Sequence, residues 1–148
     1  MIIGIDTGVL LKIAGKNKKL LQLIEDWTEK KDRIIVSAVS IAEILRFFHK
    51  QELGLVKAGP SEAAPDKVVN NRKMEIYKYI DKLIEAFEIV DVNITIAKKA
   101  AALSHGTGIH MLDSLILATM LEKECDAFYT YDNDFHAYKG KKIKIKIL

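Results

Sequence analysis

Short apolar runs alternate along the chain with longer stretches in which apolar residues recur at helical spacing. Five runs have the length and β-branched content of strands: residues 1–6, 33–37, 86–92, 127–131 and 142–147. Between them Leu20, Leu21, Leu23, Ile24 and Trp27 follow one helical stripe, and Ile41, Ile44, Leu45 and Phe48 follow another. Further helices are predicted over about 71–85, 95–104 and 110–124. Strands that alternate with helices predict an α/β fold, a parallel sheet with helices on both faces. Residues 54–71 contain Gly59, Pro60, Pro65 and several small side chains, which predicts a long loop or insertion. The last strand alternates strictly, with Ile143, Ile145 and Ile147 on one face and Lys142, Lys144 and Lys146 on the other. That pattern suits an edge strand guarded by lysines. It equally suits a basic stripe that binds the phosphates of a substrate.

Composition narrows the class. A chain of 148 residues with 49% hydrophobic content is expected to form one domain spanning 1–148, and it is too apolar for intrinsic disorder. The formal charge of +3 is too small to announce a nucleic-acid partner. Its placement says more: Lys139, Lys141, Lys142, Lys144 and Lys146 crowd the last ten residues without an acid, leaving the remainder slightly negative. A lone Cys125 cannot form an internal disulfide or a structural zinc site, so a reducing, cytoplasmic setting is expected. Residues 1–5 are apolar but lead straight into Asp6 with no basic segment before them, so no signal peptide is expected. No apolar run reaches the length of a membrane span.

Four places carry an acid that the local pattern does not call for. Asp6 follows the first strand directly, where open α/β sheets bind ligands, and is also suited to cap a following helix. Glu43 lies in the first turns of the helix after the second strand, with Val39 and Phe47 as helical neighbours. It reads either as an acid leaning toward the interior or as one favoured by the helix dipole and paired with Arg46. Asp113 lies in a helix that is apolar almost all round, with Ile109, Ile116, Leu117 and Met120 on its face, so it needs a cation, a donor or a metal. Asp132 and Asp134 follow the fourth strand in Thr130-Tyr131-Asp132-Asn133-Asp134-Phe135, a turn acid and a cap by the plain reading.

Converging carboxylates repel one another unless a cation favours their charged forms. Hard oxygen donors without His or Cys suit Mg²⁺ or Mn²⁺ rather than zinc. A site of that kind activates water against a phosphodiester, which is nuclease chemistry. No catalytic triad, Cys-His pair or Gly-rich phosphate loop competes with it, and His49, His105, His110 and His136 form no metal-binding pair. Asp6-Thr7-Gly8 matches the aspartic-protease triplet over three residues only, and the helical content excludes that all-β fold.

The order of these features, Asp6 with Thr7, then Glu43, then Asp113, then Thr130-x-Asp132-x-Asp134-Phe135, resembles a PIN-domain protein. More narrowly it resembles the VapC-type toxin ribonucleases of toxin–antitoxin pairs, from Met1 to about Phe135. The resemblance implies a five-stranded parallel sheet of order 3-2-1-4-5 flanked by helices. It implies that Asp6, Glu43 and Asp113 are catalytic, metal-binding acids, that Asp132 completes the site and that Asp134 is a further metal-binding acid. Thr7 and Thr130 would orient ligands or water, and Lys142, Lys144 and Lys146 are candidates for the RNA backbone. A Mg²⁺ or Mn²⁺ cofactor, an RNA substrate, a cognate antitoxin and a homodimer are implied as well. Leu112 stands where many relatives have proline, a change that affects the helix start rather than the chemistry. The 54–71 stretch is longer than in compact toxins, which bears on the dimer and antitoxin surfaces. Two other functions stay open: a housekeeping RNA-processing nuclease, and a non-catalytic PIN-fold module that works through protein contacts.

Overall fold

The central strand is β1 (Ile2–Ile5), hydrogen-bonded on one side to β2 (Arg33–Ser37) and on the other to β4 (Ala127–Thr130). β3 (Glu88–Val90) lies outside β2, and β5 (Lys144–Ile147) outside β4. All four pairings are parallel, and the order is β3-β2-β1-β4-β5, the 3-2-1-4-5 sheet that the resemblance implied. In this computed structural model residues 1–56 and 66–148 are described. Among the described residues six helices flank the sheet: α1 (Thr7–Ala14), α2 (Lys18–Glu29), α3 (Ala38–Val56), α4 (Asp66–Ala86), α5 (Ile94–Thr107) and α6 (Met111–Glu122).

Side-chain alternation along the strands divides the core in two. Ile3, Ile5, Ile34 and Val36 point to one face and pack with Val9, Leu10, Leu20, Trp27 and Ile44 from α1, α2 and α3. Ile35 and Phe128 point to the other and pack with Ala100 of α5 and with Ile116, Leu117 and Met120 of α6. Gly4 belongs to this second face, and a Cβ there would stand 2.3 Å from Met120 Sδ, so glycine lets the Met120 side chain of α6 pack directly on the backbone of β1. The start of α6 lies near the carboxyl end of β1.

Several boundaries shift from the sequence reading, each for a local reason. The third strand contracts to Glu88–Val90 because α4 still bonds through Phe87 N–H to Leu83 O, and Asn93 already caps α5 by accepting from Ile96 N–H. The last strand begins at Lys144, whose N–H bonds to Asp126 O; β4 starts only at Ala127, so Lys142 has no strand beside it. α5 runs on to Thr107 and stops at Gly108, whose φ of 76° makes it a left-handed cap. Helices enter the 54–71 stretch from both sides, to Val56 and from Asp66, and residues 57–65 with both prolines lie outside the described residues.

Candidate active site

Asp6 leaves the end of β1 and caps α1, its Oδ1 accepting from Val9 N–H at 2.8 Å. Its other oxygen accepts from the hydroxyl of Thr130, the last residue of β4. That hydroxyl in turn accepts from Asp132 N–H at 2.9 Å, so one threonine ties the acids at the ends of two neighbouring strands. Asp6 is only 4% exposed, and burial pushes its pKa up, against the opposing hydrogen bonds from Thr130 and Val9. The capping role and the strand-end role are therefore held by one side chain.

Glu43, half-buried in the second turn of α3, accepts from Thr7 Oγ1 at 2.5 Å. This replaces the Arg46 pairing considered from sequence, and Phe47 is 41% exposed rather than on the buried side. Asp132 caps the short 3-10 helix Asn133–Ala137, accepting from Asp134 N–H at 2.8 Å, so the cap is Asp132 and Asp134 belongs to the first turn. Phe135 anchors this helix: it is buried and meets Phe128 edge-on with ring centroids 5.0 Å apart.

Asp113 lies in the first turn of α6, half-buried, with His110 as the cap before it. No donor among the described residues reaches its carboxylate. Burial is the main reason its pKa rises from 3.8 to about 6, and the negative charges of Asp132 and Glu43 raise it further, with His110 opposing. Ser114 is fully buried one residue later, so the helix turns from site to core immediately after the acid.

These side chains rim one cavity of about 530 Å³ at the carboxyl ends of β1 and β4. Its lining includes Asp6, Thr7, Glu43, Asp113, Asp132 and Asp134, so all five expected acids and one of the two expected hydroxyl residues meet there. Thr130 stands behind Asp6, fully buried. Among the described residues no three His, Cys, Asp or Glu side chains are gathered into a metal-coordinating group. The acids are instead held round the cavity by protein donors, Thr130 and Val9 on Asp6 and Thr7 on Glu43. The donor set is all oxygen and the lining contains no Lys, Arg or His, so it suits a hard divalent cation chemically.

The three lysines expected to meet substrate are not at this cavity. Lys142 and Lys144 line a second one of about 590 Å³ with Lys99, Glu122 and Asp126, at the amino ends of β4 and β5 and thus across the sheet from the acids. Lys146 pairs in register with Tyr129 and borders neither cavity. Gly8, Ile116, Tyr131 and Asn133 complete the acidic lining, although the sequence assigns none of them a site role. Tyr131 was legible only as the neighbour of Asp132, since an aromatic after a strand usually belongs to the core.

The family model for the PIN domain matches residues 3–141. No curated protein sequence matches the chain. Among solved structures, VapBC2 from Rickettsia felis bound to a promoter DNA fragment superposes with a TM-score of 0.68 at 16% identity, covering 100% of this chain and 99% of that one. VapBC-1 from nontypeable Haemophilus influenzae gives 0.67 at 16% identity, with coverages of 99% and 98%. A toxin–antitoxin complex from Klebsiella pneumoniae gives 0.65 at 17% identity, with coverages of 97% and 99%. Identities this low establish a common architecture. With the family model spanning nearly its whole length, the chain belongs to the PIN-domain family.

Proposed function

We propose that this PIN-domain chain is a divalent-metal-dependent endoribonuclease acting in the cytoplasm as the toxin of a toxin–antitoxin pair. The observation that carries the reading is the meeting of Asp6, Glu43, Asp113, Asp132 and Asp134 round one cavity that contains no protein cation. A fold of this size has no structural need for five acids there, and Asp113 in particular has its charged form disfavoured.

Asp6, Glu43, Asp113 and Asp132 are the residues that would hold Mg²⁺ or Mn²⁺, with Asp134 beside them. Bound there, the ion would supply an activated water and charge stabilisation for phosphodiester hydrolysis. The chain's own part is positional. Thr130 holds Asp6 against Asp132, Thr7 holds Glu43, and burial of Asp6 and Thr130 keeps bulk water from one wall of the cavity. The proposed antitoxin is a small protein that covers this acidic mouth, with a basic side chain placed among the acids. The toxin itself is proposed to be a homodimer. Structural likeness to VapBC assemblies supports that setting.

Asp6→Asn keeps an oxygen acceptor for Val9 N–H and should leave the fold intact. Cleavage of a labelled single-stranded RNA in Mg²⁺ or Mn²⁺ is expected to fall at least 100-fold in Asp6→Asn and in Asp113→Asn, by the scale of contributions from essential site groups. Wild-type rates in either variant would refute the nuclease. A second reading, a PIN module that works only through protein contacts, draws on the absence of a preformed metal-coordinating group among the described residues. It would prevail if titrated Mn²⁺ gave neither heat nor thermal stabilisation.

A further inference from the structure

The acidic cavity poses a problem for the substrate proposed above. An RNA phosphate arriving there meets carboxylates on several sides, and the lining offers no Lys, Arg or His. The expected basic stripe does not help, because Lys142 and Lys144 face the opposite end of the sheet. What the cavity does have is Tyr131 in its wall, half-buried between β4 and Asp132, with Lys12 of α1 standing over the ring at 5.8 Å from its centroid. Lys12 is exposed in the last turn of α1, and no acid pairs with it among the described salt bridges.

We infer that Tyr131 and Lys12 form a nucleotide-positioning ledge beside the acids, the ring stacking an unpaired base and the ammonium holding an adjoining phosphate. The inference rests on the nuclease reading and adds to it two residues of this chain that position the RNA beside the acids. Three physical points carry it. A phenol ring offers a flat face that any base can stack on, which gives affinity without sequence readout. Tyr131 packs against the core on the α1–α2 side of the sheet, so the side where the exposed Lys12 stands, 5.8 Å from the ring centroid, is the one a base can reach, with the ammonium moving from ring to phosphate. The ledge also starts at the residue before Asp132, so a base stacked there places its own backbone against the acids rather than elsewhere on the surface. A base in a duplex keeps its faces stacked on its neighbours and cannot use the ring without being flipped out.

Tyr131 and Lys12 are positioning residues, and binding separates their effect from chemistry. In EDTA, anisotropy of a fluorescent single-stranded RNA decamer would be titrated with wild type, Tyr131→Phe, Tyr131→Leu and Lys12→Gln. Tyr131→Phe should bind as wild type does, while Tyr131→Leu should weaken binding about tenfold, the scale of one lost base stack. Lys12→Gln should weaken binding several-fold and flatten its salt dependence. A duplex of the same sequence should bind weakly and be unaffected by Tyr131→Leu. Wild-type affinity in both Tyr131→Leu and Lys12→Gln would overturn the ledge while leaving the nuclease intact. The surface variant Lys12→Gln decides the matter if Tyr131→Leu fails to fold. If wild type neither binds nor cleaves RNA, the ledge and the nuclease fall together.

Discussion

Asp113 carries a charge that its surroundings disfavour. Its pKa is about 6 in the fold against 3.8 for the free side chain, so between those values the folded protein holds a proton that the unfolded chain has released. Stability contributed by this group is therefore full below about pH 4 and is lost as pH rises toward 6. Asp113→Asn removes that penalty. With metal excluded, the variant should be more stable than wild type at pH 7.5 by about 1 kcal/mol once solvent screening is allowed for. This corresponds to roughly 2–4 °C in melting temperature, and the gain should vanish near pH 4. Melting curves in EDTA at the two pH values test it, and a variant less stable than wild type at pH 7.5 would contradict this account of the site. A substitution that raises stability while abolishing cleavage is what a functional acid, rather than a structural one, is expected to show.

At the scale of elements, the placement of α6 depends on its Met120 side chain fitting against Gly4 of β1. Gly4→Ala puts a methyl into Met120 Sδ, in a core where Met120 is fully buried, and the helix must shift or the side chain must leave its rotamer. A loss of about 1–3 kcal/mol is expected, read as a lower urea midpoint at unchanged slope. The other element-level expectation concerns β5, whose outer edge has no partner strand among the described residues. Lys144 and Lys146 occupy that edge on one face, so replacing both with Val should leave the melting temperature within a few degrees and yet promote association, visible in light scattering. Their location far from, or outside, the acidic cavity makes edge protection the role the fold supports.

For the molecule as a whole, the charges are segregated by the direction of a parallel sheet. Every strand points its carboxyl end the same way, so the acids after β1 and β4 gather at one end and Lys142 and Lys144 at the other. No helix among the described residues is long and apolar enough to cross a membrane. If the acidic end holds a divalent ion, saturating Mn²⁺ at about 100 times its dissociation constant should stabilise the fold by about 2.7 kcal/mol, or roughly 5–10 °C. Scanning calorimetry with and without Mn²⁺ measures this. Asp113→Asn, already relieved of its repulsion, should lose most of the response.

Much of this protein was readable along the chain because the signals are local. Arg33–Ser37 is bounded by charge and helix start and was located to the residue, whereas the weak third strand lost its ends to helical bonds and an Asn cap that compete for the same backbone. The acids stood out because each interrupts an apolar context, and burying charge without a partner is expensive enough that sequence patterns reveal it. Partnership, by contrast, was not legible. That Thr130 bridges Asp6 to Asp132, that Thr7 rather than Arg46 reaches Glu43, and that Lys12 covers Tyr131 all depend on contacts between residues far apart in sequence or on opposite sides of a helix. The alternating lysines are equally conspicuous in either role; only the strand's parallel register decides which end of the sheet they face. Sequence by itself determined which groups are costly to bury, and the tertiary structure decided which of them share a cavity, because solvation is a property of a residue and proximity is a property of the fold.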